Sequence, residues 1–342
     1  MRSAIIFAVV VGGALGFVGG AGFMRMMLPE PQPTVSAPNS IRPVTDPGVR
    51  IAAGNTAEKM PNYGVPANWS NTLRVATYNI ENLFDQYDNP YTADEGTGAK
   101  PEAKVKALVA AIKTLNCDVL VLEEVEQGGY LAKLTSDLLP EFKVVVDPPS
   151  NDPRGITVAV LSKLPVTRIV SHKTVALEPP ATPEAMPTEF ARDLIQVDVE
   201  LAPGLDLSVY GVHLKSKRDA TGDPKGARKR LAEAKKAVSI IRHEQGATGL
   251  FLIAGDFNDT PDSAAFSTLL ATVPGMVDVQ AGRPLAQRIS FVNPRYREAI
   301  DNIFLSPQLG QAYVADSAKI WWGENFDTAS DHRPLSITLR RP

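Results

Sequence analysis

Cysteine is all but missing: the 342-residue chain has one, Cys117, which excludes an internal disulfide framework and any multi-cysteine metal site. Its neighbours, Leu115-Asn116-Cys117-Asp118-Val119-Leu120, mark it as a small buried apolar residue. A dominant charge of one sign is also lacking. The net charge of −3 and pI near 5.9 argue against a protein that coats polyanions by bulk charge. No internal repeat is visible in the sequence. Histidines number four, so any that falls inside a motif carries weight. The rest of the composition is ordinary, with 44% hydrophobic and 21% charged residues, and suits a folded chain rather than wholesale disorder.

Ala4 to Met24 is an uncharged apolar run between Arg2 and Arg25. Spanning a bilayer takes about 20 apolar residues, and a signal-peptide core about 7–15. The run is Gly-rich, and Gly19-Gly20-Ala21 offers a weak cleavage site, so residues 1–27 read as an export signal or an uncleaved membrane anchor. Residues 28–72 carry prolines at 29, 31, 33, 38, 43, 47, 61 and 66 with few large apolar side chains, the composition of an extended, disordered linker. Folded order is expected from Leu73, giving a domain of residues 73–342 outside the cytoplasm, periplasmic or secreted. The membrane is then a partner only through a retained N-terminal segment, and no obligate protein partner is evident.

Within the folded part, Leu73–Asn79, Asp118–Leu122, Phe142–Val146, Ile156–Leu161, Val166–Val175, Leu194–Leu201, Leu207–Leu214, Leu250–Ala254, Ala299–Leu305 and Leu335–Leu339 read as strands. Helices are expected over Pro101–Leu115, Leu131–Leu139, Lys225–His243 and Ser263–Leu270; in the first, Val105, Leu108, Val109 and Ile112 form one apolar face. Consecutive strands without helices favour antiparallel pairing, and amphipathic helices need sheet faces to cover. Two sheets face to face with helices outside fit this order.

The chemistry-bearing residues sit at strand ends. Glu124 closes an apolar strand, where a carboxylate is costly unless it meets a cation. Strand alternation places it with Leu120 and Leu122, and turns Glu123 to the opposite face. Asp256 and Asn258 follow the strand Leu250–Ala254 two residues apart, on one side if extended. His332, in Ser330-Asp331-His332, has the titration range of a general base. His172 and His243 lie in no motif and read as surface residues. Lys215 to Lys236 holds nine Lys/Arg against Asp219, Asp223 and Glu233, a segment able to steer an anion, with Lys215 and Lys217 the candidates for substrate contact.

These fragments resemble, in order, the motifs of the endonuclease/exonuclease/phosphatase superfamily, the deoxyribonuclease I-like fold. They are Thr77-Tyr78-Asn79-Ile80-Glu81-Asn82-Leu83-Phe84, Leu122-Glu123-Glu124-Val125, Gly211-Val212-His213-Leu214-Lys215-Ser216-Lys217, Gly255-Asp256-Phe257-Asn258, Ile300-Asp301-Asn302-Ile303-Phe304 and Ser330-Asp331-His332. The resemblance spans Leu73 to Leu339. It implies an α/β fold, a four-layered α/β/β/α sandwich of two mostly antiparallel sheets. It also implies a divalent cation, usually Mg²⁺ with Mn²⁺ or Ca²⁺ as alternatives, and hydrolysis of phosphate esters. Carried over by motif, Glu124, Asn79 and Asp331 are metal-side residues. Asp256 is catalytic or metal-associated, Asn258 holds the phosphate or nucleophile, and Asp301 orients His332. His213 contacts the scissile phosphate or protonates the leaving group. The expected activity is a metal-dependent phosphodiesterase, a nuclease with DNA or RNA as substrate. A sphingomyelinase-like or other small-phosphoester hydrolase is the alternative, and a catalytically inactive binding protein on the same fold a third reading.

Overall fold

Alternation along a strand sends successive side chains to opposite faces, and in this chain each face has a different destination. The computed structural model describes residues 49–51, 71–178, 188–218 and 222–341. The apolar segment 4–24 and most of the expected linker therefore lie outside the described residues. Three residues of that linker, Val49–Ile51, do form a strand. Among the described residues no helix is long and apolar enough to cross a membrane.

In chain order the strands are β1 (Val49–Ile51), β2 (Thr72–Leu83), β3 (Val119–Glu126), β4 (Val144–Val146) and β5 (Ile156–Ser162). They continue with β6 (Val166–Ser171), β7 (Leu194–Ala202), β8 (Leu205–His213), β9 (Phe251–Asp256) and β10 (Val277–Asp278). The last are β11 (Phe291–Val292), β12 (Arg297–Glu298), β13 (Asp301–Leu305), β14 (Lys319–Ile320) and β15 (Leu335–Arg340). The α-helices are α1 (Glu102–Leu115), α2 (Tyr130–Leu138), α3 (Ala227–Gln245), α4 (Ala264–Leu270), α5 (Pro307–Ala312) and α6 (Glu324–Ala329). One sheet runs β1-β4-β5-β3-β2-β15-β14, a second β10-β13-β9-β8-β7-β6, and β11 with β12 forms a separate hairpin. The pairs β1–β4, β2–β3 and β8–β9 are parallel; the remainder are antiparallel.

Three apolar cores separate four layers. Val75, Val119, Val121, Val158, Val197, Val209, Leu252, Ala254, Ile303 and Ile337 fill the space between the sheets. On the outer face of the first sheet, Tyr78, Leu120 and Leu122 meet Leu108, Ile112 and Leu115 of α1. On the outer face of the second, Tyr210, Phe251, Ile253 and Phe304 meet Ala234, Val238 and Ile241 of α3. Fully burying an aliphatic side chain contributes about 1.5–3 kcal/mol. A one-residue slip would exchange the faces of a whole strand, so these cores pin the register. The expected α/β/β/α sandwich is the observed one.

Two features position the functional end. Gly211 of β8 lets the sheets approach closely: a Cβ there would come within 2.9 Å of Ile195 and Val158 and 3.2 Å of Val121. In addition, the same path occurs twice. β15-β2-β3-β5 and β13-β9-β8-β7 each pair antiparallel, parallel, antiparallel. The repetition is one of topology, with no counterpart in the sequence.

Candidate active site

The inter-sheet core is apolar along most of its length and turns polar at one end. On β2 the face carrying Leu73 and Val75 continues to Thr77 and Asn79; on β3 the face of Val119 and Val121 continues to Glu123. On β8, Leu207 and Val209 lead to Gly211 and His213; on β9, Leu252 and Ala254 lead to Asp256. β13 starts at Asp301 and proceeds to Ile303 and Leu305 on the same face. Register does the rest: Asn79 pairs with Glu123, while His213 and Asp301 both pair with Asp256, on opposite sides of it.

Asp256 is the hub. Its carboxylate accepts from Asn79 Nδ2 at 3.1 Å, from the Asn258 backbone N–H at 2.7 Å and from Asn258 Nδ2 at 3.3 Å. His213 Nε2 lies 3.6 Å and His332 Nε2 3.9 Å from Asp256 Oδ2. His332 Nδ1 meets Asp301 Oδ2 at 2.9 Å, and the His332 N–H donates to Ser330 Oγ, which in turn donates to Asn79 O at 2.7 Å. Ligand atoms of Asp256, Asp301 and His332 all lie within 4.8 Å of one another.

Burial sets the electrostatics. Burial, then the Asp301 carboxylate, pushes Asp256 up to about 7. Burial alone would lower His332, but Asp301 and then Asp256 outweigh it and hold the imidazole well above its usual value. His213 moves the other way: burial, then Arg192 and His332, lowers it well below the ordinary range. Its Nδ1 is enclosed with no hydrogen-bond partner.

Strand alternation misplaces two of the expected residues. Glu124 does not continue the face of Leu120 and Leu122. The β3 register shifts between Glu123 and Val125, Glu124 takes a φ of 64°, and Val125 rejoins the helix-side core instead. The extra residue re-aims Glu124 toward β2, where Glu124 Oε2 accepts from the Asn82 N–H at 3.0 Å. Asn258 likewise reaches Asp256 by a left-handed turn (φ 51°), not by extended alternation. Glu81 (φ 51°) and Asn82 (φ 53°) adopt the same conformation, and Lys100 Nζ donates to Ile80 O and Glu81 O at 2.9 Å each. Four non-glycine residues in a sparsely populated region thus surround one site, a form of strain that clusters where function fixes the backbone.

Glu123, turned away from the site in the expectation, faces into it. It is fully buried, accepts from Thr77 Oγ1 at 2.8 Å, and leaves Oε2 without a partner. Burial, then Asp301, raises it well above the usual carboxylate range. Arg192 and Arg154 were also not singled out in the sequence, since neither lies in a motif. Arg192 Nε is 3.1 Å from Asp152 Oδ2, and Arg154 Nη1 donates to Asn82 Oδ1 at 3.1 Å, beside Glu124. Of the two lysines, Lys217 is ion-paired with Glu298 at 2.6 Å, and the Lys215 N–H is held by Glu233 at 2.7 Å. His172 is buried, not superficial: its ring meets Leu194 O at 2.8 Å and Glu244 at 3.1 Å. His243 is exposed as expected.

The donor set suits a hard cation. Glu124 and Asp331 offer carboxylates and Asn79 an amide oxygen, ligands proper to Mg²⁺ or Ca²⁺. Burial, with Glu81 and Glu124 nearby, pushes Asp331 up, an acidic group that a divalent cation would relieve. The buried oxygens Asp301 Oδ1 and Glu123 Oε2 lack partners, as expected of a polar centre built around a further charge.

A model of the endonuclease/exonuclease/phosphatase family matches residues 76–332. No curated protein matches the sequence. Among solved structures, the human nocturnin catalytic domain with bound sulfate is similar at 19% identity and TM-score 0.57, over 80% of this chain and 95% of that one. A Bacteroides vulgatus endonuclease/exonuclease/phosphatase aligns at 20% identity and TM-score 0.56, over 79% and 99%. Danio rerio TDP2 in complex with a single-strand DNA product aligns at 17% identity and TM-score 0.54, over 79% and 99% of the two chains. At such identities the likeness speaks for the fold alone.

Proposed function

This chain belongs to the endonuclease/exonuclease/phosphatase family, and from that premise we propose that it is a divalent-metal-dependent phosphodiesterase, a nuclease acting on DNA or RNA. The observation that carries the reading is the convergence of Asp256, His213, His332 and Asn79 from both sheets, with Asp301 behind His332. Phosphodiester hydrolysis needs charge relief on the phosphoryl oxygens, an activated in-line water and support for the leaving oxygen.

Glu124, Asp331 and Asn79 would hold the cation, which when bound supplies charge neutralisation at the phosphoryl oxygens. Asp301 fixes the ring of His332 through Nδ1, leaving Nε2 directed toward Asp256. A water beside Asp256 loses its proton to that carboxylate, and the His332 imidazolium, held by Asp301, stands next to it as the positive donor of the pair. Asn79 and Asn258 hold the Asp256 carboxylate against both its oxygens, so it does not swing during the transfer. His213, buried and neutral, acts by hydrogen bonding to the phosphoryl group rather than as the acid for the leaving oxygen.

Hydrolysis of plasmid DNA, RNA, sphingomyelin and a small chromogenic phosphodiester by the full chain, with Mg²⁺ and with EDTA, tests the reading. Asp256→Asn and His332→Ala are each expected to lower kcat by roughly 100-fold or more, the scale of positioned acid–base groups, with unchanged far-UV circular dichroism. Substantial turnover by either folded variant removes this mechanism. Cleavage of sphingomyelin alone would keep the site and replace the substrate. The apolar surface expected for a lipid substrate, Trp321-Trp322, is reduced to Trp322, because Trp321 Nε1 donates to Ser336 Oγ at 2.8 Å and Lys319 covers its ring.

A further inference from the structure

The hairpin of β11 and β12 takes no part in the chemistry above, yet it is fastened to the site on several sides. The Val292 N–H donates to Asp331 O at 2.8 Å, and the Arg333 N–H to Ser290 O at 2.6 Å. Ser290 Oγ accepts the N–H groups of Ile300 at 3.2 Å and Asp301 at 3.0 Å. From the direction of His213, Lys217 reaches Glu298 at 2.6 Å. The hairpin is therefore held in place relative to Asp301, Asp331 and His332.

Its tip presents a particular chemistry. Pro294, Arg295, Tyr296 and Arg297 are exposed, Tyr296 by 53%. Neither guanidinium is ion-paired among the described residues. The Phe291 ring lies 5.7 Å from Tyr296 and 4.8 Å from His332, so two rings lead from solvent to the buried histidine. An exposed ring flanked by two free cations matches a strand whose bases stack and whose backbone is anionic. The same two cations would repel the quaternary ammonium of a choline headgroup.

We infer that this hairpin is the subsite for single-stranded nucleic acid beside the scissile phosphate, with a base stacked on Tyr296 and flanking phosphates held by Arg295 and Arg297. The inference rests on the hydrolase reading given above and names its substrate class. The test is binding of a labelled single-stranded oligonucleotide to the full chain carrying Asp256→Asn, followed by fluorescence anisotropy. Adding Tyr296→Ala is expected to weaken binding roughly ten-fold, as loss of one stacked base does, and Tyr296→Phe to restore it. Arg295→Ala and Arg297→Ala should each flatten the plot of log Kd against log salt by about 0.7. With a strand of the same length lacking bases, Tyr296→Ala should no longer matter. Binding that ignores Tyr296, or a loss of equal size on the baseless strand, overturns the subsite. Absence of metal-dependent turnover of methyl p-nitrophenyl phosphate by the unsubstituted chain sinks the hydrolase reading instead, so the two failures are separable.

Discussion

Gly255 is where the backbone leaves least room, and Gly255→Ala is the sharpest test of how the site is held. The residue precedes Asp256, pairs with Val212 across the parallel β8–β9 junction, and has a φ of +146°. A Cβ added there would lie 1.9 Å from the Val212 carbonyl oxygen, whereas real Cβ atoms essentially never approach closer than 3.0 Å. The obstacle is backbone, so no side-chain rotation relieves it; the two strands must part by about 1 Å. Overpacking typically costs about 1–3 kcal/mol and an unfavourable backbone conformation about 1–3 kcal/mol more. The expected loss is therefore ~2–6 kcal/mol, against a usual domain stability of about 5–15 kcal/mol. Urea unfolding followed by tryptophan fluorescence measures it. Gly98→Ala serves as the reference, since nothing lies within 4 Å of its added Cβ, and should stay within about 0.5 kcal/mol of the parent. Because a shift of about 1 Å at reacting groups can cost ~100-fold in rate, Gly255→Ala should also lose most turnover below its melting range. A variant as stable as Gly98→Ala would refute the claim that the β8–β9 junction positions Asp256.

Burial pushes the Cys117 thiol up to about 12 and leaves no exposed surface. Alkylation by iodoacetamide at pH 8 should thus be at least ~100-fold slower in native protein than in urea; comparable rates would show that the α1–β3 junction opens readily. Ser263 caps α4, its Oγ accepting the Phe266 N–H at 3.2 Å. Ser263→Ala is expected to cost ~1 kcal/mol in the same urea titration, with no effect on metal-dependent turnover.

Much of the fold was legible because its signals are local and periodic. The apolar stripe of α1 and the runs that became β5, β7 and β9 require only alternation and length to recognise. The His332–Asp301 pair was legible for a different reason, as part of an ordered set of motifs. What escaped was whatever depends on one residue more or less. Strand alternation assigns Glu123 and Glu124 to opposite faces, but the bulge after Glu123 moves Glu124 off the face that period two gives it. Asn258 meets Asp256 for the right distance in sequence and through the wrong conformation. His172 looked superficial because its partners, Leu194 O and Glu244, are 22 and 72 residues away. Arg192 becomes meaningful only once β7 and β8 bring it beside Leu214, whose carbonyl it reaches at 3.3 Å.

The doubled strand path has a bearing on the life of the chain before it is finished. Asn79 and Glu123 come from one sheet, His213, Asp256 and Asp301 from the other, and His332 arrives on the segment leading into the last strand. A nascent chain that has made every residue up to β14 still lacks the imidazole and the strand β15 that pairs with β2. For the hydrolase proposed above, that order ties assembly of the site to the pairing of β15 with β2, since His332 lies on the segment that leads into β15.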